Sequence, residues 1–422
     1  MQDENTRLRK AVQELSVLND LARDISSTLS LEDVIQNVVK RSVRALQCQQ
    51  GTITLLKEET QDEMKTFVRE NDSVADHVQF HLNQNILGWM MINKKPLLSN
   101  DLAADSRFAG VKMDSGIRSV LCVPLLVKNS LLGILTIFNK KENGEFSEDD
   151  KRLLAIIAAQ SAQVLENARL YEQEKNLRAM QEQLKLAQKI QQDLLPQKPP
   201  TLKGFEIAGV SLPAQSVGGD YYDFIKLDDR RTAICLGDVT GKGLPASLLM
   251  ANVQATLRGQ AIVNPSPKEC LTRANRLLYE STSPEKFVTL FYAILDAENY
   301  QVAFCNAGHD HPYLITRSGE VVRLKTGGLM LGVMPDYPFA EDSVALNPDD
   351  TLVIYSDGIP EAMNSSGEFF GDPALEAVLK LHSSESAGQL LNVVVDAVKK
   401  YAGTHTQSDD ITIVVIKRTT AD

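Results

Sequence analysis

SVGGDYYDFIKL, residues Ser216–Leu227, sets two glycines before an aspartate, then an aromatic pair, a second acid and a short β-prone run. A single aspartate beside glycine is an ordinary turn residue. What Asp220 does therefore depends on where the other acids in this half of the chain fall. Asp238 stands where the apolar run TAICLGD ends, Asp357 where TLVIYSD ends, and Asp409 and Asp410 where DITIVVIKR begins. Each lies at the mouth of a predicted strand, flanked by glycine or a turn. Four such positions converge if the strands share one end of a sheet.

Unpaired carboxylates about 4 Å apart repel by roughly 4 kcal/mol per pair at an effective dielectric near 20. A set held together needs positive charge. Oxygen donors with no His or Cys among them select hard cations, so Mg²⁺ or Mn²⁺ is indicated and Zn²⁺ is not. Two such ions sharing a water supply what hydrolysis of a phosphate ester needs without a Ser or Cys nucleophile.

The surrounding sequence predicts an α+β frame. FEIAGVSL, TAICLGD, TLFYAILD, YQVAFCNAG, TLVIYSDG and DITIVVIKR read as short strands, several joined by tight turns such as Asp296-Ala297-Glu298-Asn299. LPASLLMANVQATLRGQAIV, PKECLTRANRLLYES and SAGQLLNVVVDAVKKYA carry helical spacing. Strands outnumber crossover helices, which favours two antiparallel sheets covered by helices over a parallel doubly wound sheet.

GGDYYDF, GDVTGKGLPASLLM, NAGHDHPYL, YSDGIPEA and DDITIVVIK, in this order, resemble the bacterial metal-dependent serine/threonine phosphatases of the SpoIIE/RsbU type, a branch of the type 2C (PPM) superfamily with an α-β-β-α sandwich. LAQKIQQDLLP resembles the helix that leads into that catalytic domain. The resemblance implies a catalytic metal set of Asp220, Asp238, Asp357 and Asp409. Asp220 would bind one of two Mn²⁺ or Mg²⁺ ions, Asp238 with the Val239 carbonyl would bridge both, and Asp357 and Asp409 would bind the other, with Asp410 as the alternative to Asp409. Animal members of the superfamily carry a His thought to act as acid two residues after the bridging Asp; Thr240 stands here, so no general acid is assigned. Lys242 is open between steering a phosphate and plain solvation. His309 and His311 belong to a strand turn on this reading, and Asp223 is structural or supports the site. The Gly-Gly-Asp-Glu-Phe loop of diguanylate cyclases is a rival resemblance for Gly218–Asp220, but it leaves Asp238, Asp357 and Asp409 without a role.

The preceding block alternates strand-like runs (GTITLL, SVLCVPLLV, LLGILTIFN) with helix-period ones. ILGWMMINKKPLLSNDLAADSRF, GIRSVLCVPLLVKNSLLGILTIFNK and FSEDDKRLLAIIAAQSAQVLENARL resemble a GAF domain, a sensor and dimerisation module with a central antiparallel sheet and flanking helices. Asn139-Lys140 and Phe146 echo the cyclic-nucleotide-binding subset, but Asp149-Asp150 follow too closely and no Glu closes that motif. His77 and His81 read as surface residues.

The expected organisation is an amphipathic N-terminal helix over 1–25, a GAF sensor over 26–168, a coiled-coil linker helix over 169–197 and the phosphatase over 198–422. In the linker, Leu170, Leu177, Met180, Leu184, Ala187, Ile190 and Leu194 form a narrow apolar seam with a heptad break, until Pro196, Pro199 and Pro200 stop the helix. A parallel homodimer is the expectation, with a GAF ligand, small molecule or protein, left open.

Composition bounds the rest. The 422 residues carry 44 Lys and Arg against 55 Asp and Glu, a formal net charge of -11, which argues against nucleic-acid binding. No apolar run reaches bilayer length and the N-terminus lacks a signal-peptide core, so a cytoplasmic protein is expected. Cys48, Cys122, Cys235, Cys270 and Cys305 form no CxxC pair and read as buried free thiols. The resembled family implies a phosphorylated STAS-type anti-anti-sigma factor as substrate. The alternative from another class is a catalytically silent scaffold of the same fold.

Overall fold

The computed structural model describes residues 30–56, 64–70, 84–108, 116–283 and 285–419. The helix expected over 1–25, and His77 and His81, lie outside the described residues. Chain contacts divide the protein into two units, Met1–Ala179 and Met180–Asp422.

In the first unit, α1 (Leu31–Ala45) starts at Ser30, whose hydroxyl accepts the Asp33 N–H while the Asp33 carboxylate accepts the Ser30 N–H. Then follow β1 (Cys48–Leu56), β2 (Met64–Glu70), α2 (Gln84–Asn93), β3 (Leu97–Ser99), β4 (Val120–Val127), β5 (Ser130–Lys140) and α3 (Glu148–Leu194). The strands form one antiparallel sheet in the order β2-β1-β5-β4-β3. The unbroken apolar run VLCVPLLV is explained by cover on both faces. Leu121, Val123 and Leu125 pack with Ile35 and Val39 of α1 and Leu154 and Ile157 of α3. Val120 and Cys122 pack with Ile86 and Met90 of α2.

Asn139 and Lys140, the pair that echoes the nucleotide-binding subset, are engaged internally. The Asn139 side chain accepts the Arg118 and Ser119 N–H groups and donates to the Gly116 carbonyl and to Gln49. Lys140 pairs with Asp150, which also closes the N-terminal cap of α3 with Ser147. Farther along α3, Leu170, Leu177, Met180 and Ile190 of the predicted seam are half or more exposed.

The second unit continues with β6 (Phe205–Leu212), β7 (Tyr221–Lys226), β8 (Arg231–Val239), α4 (Leu244–Val263), α5 (Pro267–Ser281), β9 (Val288–Asp296), β10 (Gln301–Ala307), β11 (Tyr313–Ile315), β12 (Val321–Arg323), β13 (Gly327–Gly328), β14 (Asp342–Ala345), β15 (Thr351–Tyr355), α6 (Gly371–Leu381), α7 (Ala387–Ala402) and β16 (Ile411–Arg418). One sheet runs β13-β10-β9-β8-β7, with β14 also on β10; the other runs β12-β11-β15-β16-β6. Every pairing in them is antiparallel except β10 with β13.

Period-two alternation builds the layers. Along β8, Ala233 and Cys235 face α4 and α5, packing on Met250, Leu257 and Leu271. Ile234 and Leu236 face the other sheet, meeting Phe291, Ile354 and Val414. On the far side Val353, Tyr355, Ile413 and Val415 carry α6 and α7 through Leu375, Leu390 and Val394. The result is the α-β-β-α sandwich. All five cysteines are buried and unpaired.

Antiparallel register brings the acids to one end. β7 begins where β8 finishes, with Tyr221 opposite Gly237. β15 finishes where β16 begins, with Tyr355 opposite Ile413. Asp220 and Asp238 therefore sit at the edge of one sheet, Asp357 and Asp409 at the matching edge of the other.

Candidate metal centre

The GGD loop that enters β7 is held by the Asp410 carboxylate. The Asp410 carboxylate accepts the N–H groups of Ala214 at 2.8 Å, Gly219 at 2.6 Å and Asp220 at 3.3 Å. This leaves no room for a side chain at Gly218: a Cβ there would stand 2.3 Å from Asp410 Oδ2. At Gly219 a Cβ would stand 3.0 Å from Asp238 Oδ1 and 3.1 Å from the Val239 carbonyl oxygen. Two oxygens thus face the small space that the missing side chain leaves.

Asp220 is buried, and its Oδ2 has no hydrogen-bond partner. Burial, then the charge of Asp238, holds its carboxyl well above the usual range. Asp238 is pushed up to about 7 by burial and by the charges of Asp357, Asp409 and Asp410. Asp357 rises to about 6 through burial, then Asp409, Glu361 and Asp310. Burial leads in each case, and neighbouring carboxylates add to it, as expected of acids brought near one another. Among the described residues no three His, Cys, Asp or Glu side chains are arranged to hold a metal ion as they stand.

One cation does reach the set. Lys242 Nζ lies 2.9 Å from Asp409 Oδ2 and donates to the Ser408 carbonyl oxygen at 2.8 Å. The ammonium stands in for positive charge at that carboxylate, so Lys242 is neither simply solvated nor free to meet a phosphate. Asp409 and Asp410, adjacent in sequence, turn opposite ways: Asp409 toward Lys242, Asp410 onto the GGD loop.

The donor chemistry fits hard divalent cations: a buried, unpartnered carboxylate oxygen, a second carboxylate and a backbone carbonyl beside one glycine, and two further acids from the facing sheet, with no nitrogen or sulfur donor. His309 is not among the donors. Its Nε2 lies 3.0 Å from the Tyr355 carbonyl oxygen, which can only accept, so Nε2 carries the proton and Nδ1 accepts the Thr289 hydroxyl at 3.1 Å. Burial lowers its pKa to about 4, keeping it neutral. Thr289 lies opposite Asp238 and Tyr355 precedes Ser356-Asp357, so this imidazole ties the strand beside one acid to the strand beside another.

Two other polar side chains near the loop, Thr240 and Asp223, have structural partners. The Thr240 hydroxyl accepts the Phe287 N–H at 3.3 Å. Asp223 points away beneath α4, accepting Arg258 Nε at 2.6 Å, Arg258 Nη2 at 3.0 Å and the Tyr221 hydroxyl at 2.7 Å.

Both parts of the chain are similar to known proteins. The pattern of the Stage II sporulation protein E (SpoIIE) family matches residues 228–419, and that of the GAF domain matches 28–166. The phosphoserine phosphatase RsbU of Bacillus subtilis is 30% identical over 253 residues, which cover 59% of this chain and 75% of RsbU. The chain belongs to the SpoIIE phosphatase family. The family match starts after the GGD loop, so Asp220 stands outside it while Asp238, Asp357 and Asp409 stand inside. Protein IcfG of Synechocystis is also 30% identical, over 56% of this chain and 41% of its own length. Among solved structures, the SiaA-PP2C domain of Pseudomonas aeruginosa overlays with a TM-score of 0.51 at 25% identity, covering 57% of this chain and 97% of that domain. As a SpoIIE-family member with a GAF domain ahead of a type 2C phosphatase fold, the protein is a serine/threonine phosphatase by descent.

Proposed function

We propose that this SpoIIE-family protein is a cytoplasmic Mn²⁺- or Mg²⁺-dependent phosphatase that removes phosphate from phosphoserine or phosphothreonine of a STAS-type anti-anti-sigma factor. The observation that carries the reading is the convergence of Asp220, Asp238, Asp357 and Asp409 from two sheets onto one edge, in a relative of a phosphoserine phosphatase. Asp220, Asp238, the Val239 carbonyl, Asp357 and Asp409 would hold two divalent cations. When bound, such a pair supplies an activated water and charge that neutralises the phosphoryl oxygens.

The chain's own residues do the rest. Asp410 fixes the GGD loop so that Asp220 is delivered without searching. His309 ties β9, the neighbour of the strand that carries Asp238, to the end of β15, just before Asp357. Lys242 pairs with Asp409; with a divalent cation held by that carboxylate, its ammonium would be available to the substrate phosphate. The Thr240 hydroxyl accepts the Phe287 N–H, and no general acid is assigned.

Control is assigned to the segments before the catalytic unit: a GAF sensor over 26–168 and a linker helix over 169–197, ahead of the phosphatase over 198–422. The exposed apolar side chains Leu170, Leu177, Met180 and Ile190 on α3 support pairing with a second copy in a coiled coil. No helix among the described residues is long and apolar enough to cross a membrane.

The test is release of phosphate from p-nitrophenyl phosphate and from a phosphoserine STAS protein, with and without Mn²⁺. Turnover that needs the metal and vanishes in Asp238→Ala is expected. A folded wild type that is inactive both as the full chain and after removal of the residues before Met180, a cut that keeps Gln191, would instead identify a scaffold.

A further inference from the structure

The last turn of α3 reaches the GGD loop through one side chain. Gln191 is buried, at 9% exposure, on a helix whose neighbouring positions are mostly exposed. Its Nε2 donates to the Gly218 carbonyl oxygen at 2.7 Å, and its Oε1 accepts the Gly218 N–H at 3.0 Å. A side-chain amide closing both bonds on one residue fixes that peptide as a neighbouring strand would. Gly218 is thereby held by Gln191, while the Asp410 carboxylate packs against it and takes the next two N–H groups, those of Gly219 and Asp220. Asp220, with its unpartnered buried Oδ2, follows directly.

The turn that carries Gln191 is itself anchored. Gln254 of α4 donates to the Leu194 carbonyl oxygen at 2.9 Å, and Leu195 packs against the apolar layers on both faces of the β8 sheet. Gln254 holds the helix end but does not touch the loop. The two glutamines therefore separate docking of the helix from placement of the ligand.

We infer that Gln191 is a positioning residue for the metal centre: by clasping Gly218 it sets where Asp220 stands, and so makes the end of α3 part of the cation site. The inference rests on the metal reading proposed above. It locates one point where a change in the helix end alters metal affinity: the Gln191–Gly218 amide pair, which reaches Asp220 through Gly219.

The experiment is Mn²⁺ binding to the full chain by isothermal titration calorimetry, with hydrogen exchange of the segment containing Gly218–Asp220 and melting in EDTA. Gln191→Leu is expected to weaken Mn²⁺ by about 10- to 100-fold, the usual cost of removing a group that orients a metal ligand, and to speed exchange in that segment. Gln254→Leu is expected to lower the melting temperature and leave Mn²⁺ affinity within about twofold. Asp220→Asn is the control. If it leaves Mn²⁺ binding unchanged, the metal reading fails and the inference with it. If Asp220→Asn weakens binding while folded Gln191→Leu binds as wild type, the inference alone fails. Should Gln191→Leu not fold, Gln191→Glu, which keeps the acceptor for the Gly218 N–H and loses the donor to its carbonyl, is read by the same criteria.

Discussion

Neutralising Asp238 is expected to stabilise the metal-free protein while abolishing its activity. The carboxyl is carried from an ordinary 3.8 to about 7, first by burial and then by Asp357, Asp409 and Asp410. The sign follows from proton linkage. A carboxyl whose folded pKa is raised binds protons more tightly folded than unfolded, so it destabilises the fold progressively as pH climbs from 3.8 to about 7 and fully above that. At 1.36 kcal/mol per pKa unit the cost at pH 8 is on the order of 4 kcal/mol, and at pH 5 on the order of 2 kcal/mol. Asp238→Asn keeps the shape and removes the charge. Calorimetry in EDTA, following the transition that Mn²⁺ shifts in the wild type, should show a gain of about 10 °C at pH 8 and about half of that at pH 5. Mn²⁺ should raise the wild-type transition and leave the variant nearly unmoved. A variant no more stable than wild type at pH 8, or a gain independent of pH, would refute the claim that uncompensated acids converge here.

Arg258→Leu leaves the buried Asp223 without its cation, held only by the Tyr221 hydroxyl and the Phe224 N–H among the described residues. Because Arg258 is half exposed, the loss should fall below the 3–5 kcal/mol of a fully buried pair, at about 2 kcal/mol by denaturant titration, with turnover per folded molecule retained. Asp410→Asn removes a charged acceptor shared by Ala214, Gly219 and Asp220; Mn²⁺ affinity measured by calorimetry should drop at least about tenfold. Lys242→Met should do the opposite, tightening Mn²⁺ by up to about fivefold, because the competing ammonium pair at Asp409 is partly exposed and worth only about 1 kcal/mol.

The outline of the second unit is readable from sequence because strand alternation and turn residues repeat often enough to fix it. Asp238 and Asp357 are readable for the same reason: each ends an unmistakable apolar run. The choice between Asp409 and Asp410 is not, since both lie in the turn just before β16 and only the folded contacts decide which of them turns to the GGD loop. Gln191 leaves no local signal at all. In LAQKIQQDLLP it is one more polar residue on a solvated helix, and its burial comes from contacts with Gly218, distant in the chain. His309 illustrates a third limit. A histidine beside acids looks like a ligand until both ring nitrogens are seen to hold backbone and hydroxyl partners.

The five thiols turn the protein into its own clock for opening. Burial pushes Cys48 and Cys122 up to about 12 and Cys270 up to about 11, so the native state offers a maleimide almost no thiolate and little access. Reaction must wait for structure to come apart. Cys48 and Cys122 lie in Met1–Ala179, while Cys235, Cys270 and Cys305 lie in Met180–Asp422. Peptide-resolved labelling rates would therefore time the loosening of each half separately, in one tube and without introduced probes, and would reveal whether Mn²⁺ slows only the half that holds the acids.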